Sequence, residues 1–138
     1  MHRYLIDTNV IIDVSDPQSE WYGWSSSQLV RATDSGEVFI NPIIYAELAG
    51  YADSEAQIES ILSDMLLERA DLPWQAAFLA GRAFVAYRKS GGTRTLPLPD
   101  FYIGAHAQVA GLTLLTRDVR RFRAYFPRLR LIAPDSVS

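Results

Sequence analysis

Four acidic residues stand where apolar runs end or helices begin, and carboxylates so placed can bind cations or move protons. The clearest is Asp7, in Arg3-Tyr4-Leu5-Ile6-Asp7-Thr8-Asn9. Leu5 and Ile6 have the short, apolar, partly β-branched character of a buried strand. Asp7 then sits at the strand's C-terminal edge, where open α/β sheets bind ligands. Asp118 repeats the pattern after Leu112-Thr113-Leu114-Leu115-Thr116-Arg117. If the two strands are parallel neighbours, their carboxylates converge at one sheet edge. Glu47 belongs to a helix that follows a strand, and shares a face with Ile43 and Ile44. Asp100 opens a helix after Leu98-Pro99. Clustered carboxylates repel one another unless protonated or bridged by a cation. Hard oxygen donors select Mg²⁺ or Mn²⁺. Such a site can activate water and stabilise in-line attack on a phosphodiester.

Each acid also has a plainer role open to it. Asp7 can be a helix cap or turn residue. Glu47 can lie at the edge of its apolar stripe and point to water. Asp100 favours the positive end of its own helix dipole. The sequence leaves open whether the helix carrying Asp100 starts at the edge that bears Asp7 or at the opposite one.

The elements that position these acids alternate along the chain. A short helix is expected over 10–14, broken at Asp16-Pro17. A second runs from residue 20 to about 32 and is closed by the turn residues Asp34-Ser35-Gly36. Val38-Phe39-Ile40 reads as a strand, and Asn41-Pro42 as a capped helix start. That helix extends over 42–51. Residues 54–68 form an amphipathic helix with Ile58, Ile61, Leu62, Met65 and Leu66 on one face. Another helix covers 74–89, and 90–95 is a surface loop. The helix from 100 to 110 places Ile103, Gly104 and Ala107 on one face, small enough for close packing, and Gly111 ends it. Leu131-Ile132 is a last short strand, and 133–138 a tail. Alternating helices and short apolar strands imply a mostly parallel sheet covered by helices.

Composition narrows the chemistry. With no cysteine, disulfides and thiolate catalysis are excluded, and the two histidines, His2 and His106, offer no paired zinc site. No phosphate-binding or dinucleotide-binding glycine loop occurs. No apolar run approaches the ~20 residues that span a bilayer, and no secretory signal is visible, so a cytoplasmic protein is expected. The 138 residues fit one domain, 1–138. Their net charge of −3 hides an asymmetry. Residues 1–81 hold 13 acids and 3 bases, whereas residues 82–138 hold 3 acids and 10 bases. A basic half of this kind is a candidate polyanion-binding surface. Arg117, Arg120, Arg121 and Arg123, just past an acid-bearing strand, are its candidate phosphate-gripping residues. Ordinary solvated charge is the alternative for each.

Four segments together carry a family resemblance: Leu5-Ile6-Asp7-Thr8-Asn9, Tyr45-Ala46-Glu47-Leu48, Leu98-Pro99-Asp100-Phe101-Tyr102-Ile103-Gly104-Ala105, and Leu115-Thr116-Arg117-Asp118 with Phe122 after it. In this order and spacing the chain resembles PIN domains, and among them VapC-type toxins of prokaryotic toxin–antitoxin pairs. The resemblance covers essentially the full chain. It implies a three-layer α/β/α sandwich around a mostly parallel sheet of about five strands. It implies that Asp7, Glu47, Asp100 and Asp118 are the catalytic, metal-binding acids, Asp118 as a weaker or water-mediated ligand. Asn9 and Thr116 match supporting polar neighbours. The implied activity is a Mg²⁺- or Mn²⁺-dependent endoribonuclease acting as a type II toxin. Its partners are RNA and a cognate antitoxin, in a homodimer or a heteromeric toxin–antitoxin complex. The alternative is a non-catalytic PIN-like module that binds RNA or protein, its acids structural. A flap-type DNA nuclease is disfavoured, since little length remains for a substrate-threading arch. Trp21, Tyr22, Trp24, Tyr45 and Tyr51 exceed what a small core obviously needs. They are expected to line a groove beside the acids for a partner segment bearing a cation.

Overall fold

The computed structural model describes residues 2–92 and 98–134. Part of the expected loop, 93–95, and the end of the expected tail, 135–138, lie outside the described residues. So does the side chain of Arg121.

Five strands form one sheet: β1 (His2–Ile6), β2 (Gly36–Ile40), β3 (Leu67–Arg69), β4 (Thr113–Leu115) and β5 (Leu131–Ile132). Their order is β3-β2-β1-β4-β5, and every neighbouring pair is parallel. Helices flank the sheet: α1 (Thr8–Ser15), α2 (Tyr22–Ser35), α3 (Pro42–Ala49), α4 (Glu55–Asp64), α5 (Trp74–Lys89), α6 (Pro99–Ala110) and α7 (Arg120–Tyr125). The result is the expected three-layer α/β/α sandwich. Parallel strands need helical crossovers, and helices on both faces bury the centre of the sheet. Leu5, Ile6, Leu114 and Leu115 are accordingly sealed from solvent.

From the central β1 the chain winds outward to β2 and β3, then returns to place β4 on the other side. The direction reverses between β1 and β4, which makes the crevice at their C-terminal ends the natural ligand site. The register pairs Ile6 with Leu115. The next residues, Asp7 and Thr116, therefore stand side by side at that crevice.

Local chemistry sets the other boundaries. Asn41 caps α3 by accepting a hydrogen bond from the Ile44 N–H at 2.9 Å, with Pro42 in the first turn, as expected. Two expectations need correction. Residues 34–36 do not form a turn, because α2 continues to Ser35 and leads directly into β2. Gly36 is needed there for room: a Cβ on it would lie 1.8 Å from the His2 carbonyl oxygen of β1. The helix expected over 54–68 ends at Asp64, and Leu67–Arg69 is the edge strand β3. The break lies at Leu66, whose φ of 58° reverses the chain without a glycine.

The small face of α6 works as expected. A Cβ on Gly104 would stand 2.6 Å from the Phe126 ring and 3.2 Å from Phe122, both fully buried. Gly104→Ala gains helix propensity of about 1 kcal/mol but forces these rings apart, at a cost of about 1–3 kcal/mol. The expected result is a net loss of stability. A denaturation midpoint equal to or above that of the unaltered protein would show that α7 yields freely.

Candidate active site

Asp7 follows β1 directly and caps α1. Its Oδ1 accepts the Thr8 backbone N–H at 2.8 Å, and its Oδ2 accepts the Thr116 hydroxyl at 2.7 Å. The residue is only 5% exposed. Burial pushes its carboxyl up to about 7; the nearby charges of Asp100 and Glu47 push the same way, and the two hydrogen bonds oppose them. Asp7 thus serves as the cap its position allowed, and is also a buried acid poised near neutrality.

Glu47 reaches this region from α3. It is half-buried, and its Oε1 accepts the Thr8 hydroxyl at 2.6 Å. Thr8 therefore ties Glu47 to Asp7, through its hydroxyl on one side and its N–H on the other. Thr8 was not among the candidate site residues read from the sequence. Asp100 is half-buried in the first turn of α6, within electrostatic reach of Asp7. The helix carrying Asp100 therefore starts at the edge that bears Asp7.

Asp118 is differently placed. It is exposed, and its backbone N–H donates to the Thr116 hydroxyl oxygen at 3.0 Å. Thr116, fully buried, connects Asp118 to Asp7 through one oxygen atom. Asn9 accepts the Arg117 backbone N–H at 3.4 Å and so holds the segment after β4 against α1.

Asp7, Glu47 and Asp100 thus share one neighbourhood, with Asp118 at its margin. Among the described residues no three acidic or histidine side chains close around a common metal position. An open carboxylate set still fits Mg²⁺, which keeps several waters and commonly takes one or two protein carboxylates. A cation there would relieve both the burial of Asp7 and its repulsion by Glu47 and Asp100.

The arginines divide by role. Arg117 is committed within the fold. Its Nε and Nη2 donate to Asp13 at 2.5 and 3.1 Å, and its guanidinium lies over the Trp21 ring, 5.5 Å from the centroid. Asp13 is buried and also accepts the hydroxyls of Ser19 and Ser25 at 3.0 and 2.7 Å. This pairing removes Arg117 from the set free to grip phosphate. The sequence reading passed over Asp13, although an acid three residues after Val10 on a mostly apolar helix needs a partner. Arg123 donates to the Leu129 carbonyl at 3.2 Å while remaining exposed. Arg120 is exposed at the start of α7.

His106 is buried, and its Nδ1 meets the Asn41 side-chain amide at 2.9 Å. Burial holds the ring's pKa below its usual range. Of the aromatics expected to share one groove, Trp21, Trp24 and Tyr45 fall in two places. Trp21 packs edge-on against Trp24 and under Arg117. Tyr45 lines a cavity of about 340 Å³ with Pro42, Glu55, Arg69 and Asp71.

Known proteins place this arrangement. No curated protein matches the chain in sequence. Among solved structures, a chain of the DNA-bound VapBC complex from Salmonella typhimurium matches with a TM-score of 0.68 and 25% identity, over 96% of this chain and 98% of that one. A chain of VapBC-1 from nontypeable Haemophilus influenzae matches with a TM-score of 0.69 and 24% identity, over 95% and 97%. A chain of FitAcB from Neisseria gonorrhoeae matches with a TM-score of 0.64 and 24% identity, over 94% and 96%. The family model for the PIN domain matches residues 4–126. With four acids at or near one sheet edge, the VapBC-like fold and that match over most of its length, the chain belongs to the PIN domain family.

Proposed function

We propose that the protein is a Mg²⁺- or Mn²⁺-dependent endoribonuclease, the toxin of a type II toxin–antitoxin pair. The observation that carries this reading is Asp7. It is buried at the switch point of the sheet, beside Glu47 and Asp100, with its carboxyl near neutrality. Asp7, Glu47 and Asp100 would hold the cation, and Asp118 would reach it through water from the margin. The bound cation supplies water activation and stabilises charge on the phosphodiester oxygens. The chain's own residues do the rest. Thr116 and Thr8 fix the two oxygens of Asp7, and Thr8 fixes Glu47. The wall of α1, β1 and β4 excludes bulk water on the inner side, which strengthens electrostatic interactions there.

The partner is a cognate antitoxin in a heteromeric complex, a reading supported by the VapBC and FitAcB relatives. An acidic pocket at an open edge is most simply blocked by a basic side chain. No described helix is long and apolar enough to cross a membrane, consistent with the expected cytoplasmic setting.

One observation favours a non-catalytic module: the acids do not close around a single metal position among the described residues. Incubation with labelled single-stranded RNA separates the readings. The toxin reading requires cleavage with Mg²⁺ or Mn²⁺ that stops with chelator, and growth inhibition relieved by the product of the adjacent reading frame. RNA or protein binding without cleavage at any metal concentration would favour the module.

A further inference from the structure

A depression of about 430 Å³ adjoins the acids on the side of α7, lined by Tyr87, Asp118, Arg120, Ala124 and Tyr125. Of its lining residues Asp118 is linked to Asp7: the Thr116 hydroxyl accepts the Asp118 backbone N–H and donates to the Asp7 carboxylate. Its aromatic wall is held in place. Tyr87 stacks on Phe84 at 6.2 Å and meets Tyr125 edge-on at 6.1 Å. Phe101, fully buried, packs edge-on against both tyrosines at 5.5 and 5.3 Å. Both tyrosines stay half-exposed toward the depression, and Arg120 is exposed at its rim.

We propose that this depression seats one nucleotide of single-stranded RNA next to the scissile phosphodiester. The inference rests on the ribonuclease reading above and adds the substrate subsite to it. A base lies against the preset tyrosine ring of Tyr125, which costs little ordering because the ring is already fixed by Phe101 and Tyr87. The adjoining phosphate takes the Arg120 guanidinium. Charge favours RNA over a peptide here: the chain from residue 82 onward holds 10 bases and 3 acids, and Arg120 faces the depression.

Steady-state cleavage of a short labelled RNA tests this with Arg120→Ala, Tyr125→Leu and Tyr125→Phe. The first two are expected to raise KM about tenfold each while kcat stays within about twofold, the size of one lost stacking or phosphate contact. Tyr125→Phe keeps the ring and should recover most of the affinity lost in Tyr125→Leu. The salt slope of RNA binding should fall by about 1 for Arg120→Ala alone. If Tyr125→Leu does not fold, as judged by circular dichroism, Arg120→Ala decides alone. Cleavage by the unaltered protein with unchanged KM in the folded variants overturns the subsite and leaves the ribonuclease reading standing. Unchanged KM with weakened antitoxin binding overturns it in favour of a protein segment. Absence of RNA cleavage by the unaltered protein overturns both.

Discussion

Asp7→Asn is expected to lower RNA cleavage on the order of a thousandfold while making the metal-free protein more stable at neutral pH. The loss follows from removing an anionic oxygen donor from the proposed cation site, since metal-assisted activation lowers the barrier by several kcal/mol. The gain follows from linkage. In the unfolded chain this carboxyl ionises near its ordinary value of 3.8, but in the folded protein it keeps its proton to about 7. Between those values the native state binds more protons, so each rise in pH favours unfolding. The penalty is absent below about pH 4, grows through the interval, and is complete above about pH 7, at on the order of 4 kcal/mol. His106, with its lowered pKa, contributes the opposite slope on the acid side. It does so in both proteins and cancels in the difference. Denaturant unfolding in chelator from pH 4 to 8 should show a falling stability that is blunted in Asp7→Asn. Parallel curves for the two proteins would mean that Asp7 is ionised at no cost in the fold.

The second large effect is expected at Asp13. Asp13→Ala leaves the Arg117 guanidinium, whose side chain is only 29% exposed, and the hydroxyls of Ser19 and Ser25 without the carboxylate they share. Removing one partner of a buried pair costs about 3 kcal/mol, at the low end here because Arg117 retains some solvent. The melting temperature should fall by roughly 10 °C. Cleavage should fall too, because Arg117 sits between Thr116 and Asp118 in the chain. Replacing both partners, as Asp13→Leu with Arg117→Met, should recover much of the stability. A double variant as unstable as the sum of the single ones would deny the coupling.

The sheet was readable because its central strands are short, apolar runs with a sealed centre: Leu5-Ile6, Val38 and Ile40, and Leu114-Leu115 are buried. The α3 start was readable because Asn41-Pro42 is a local signal with a local cause. What escaped notice depends on contacts far apart in sequence or on unusual backbone. β3 continues the apolar run Met65-Leu66-Leu67, so hydrophobic periodicity carries the α4 helix past its true end. The reversal at Leu66 has no glycine to mark it. Arg117 appeared free because its partner Asp13 lies 104 residues away. The acids Asp7 and Glu47 were visible as candidates, but the Thr8 bridge between them comes only from packing α1 against α3. Asp118 ends the same strand pattern as Asp7, yet two further residues carry it past the buried edge to the surface.

The claim at the centre is that the acids around Asp7 hold a divalent cation. Calorimetric titration of the metal-free protein with Mn²⁺ near pH 6.5 tests it most directly. The expected result is binding that releases protons, because a cation displaces the proton Asp7 still partly holds, and affinity at least tenfold weaker in folded Asp7→Asn. Equal affinity in the two proteins, or no Mn²⁺ binding to the unaltered one, would contradict it.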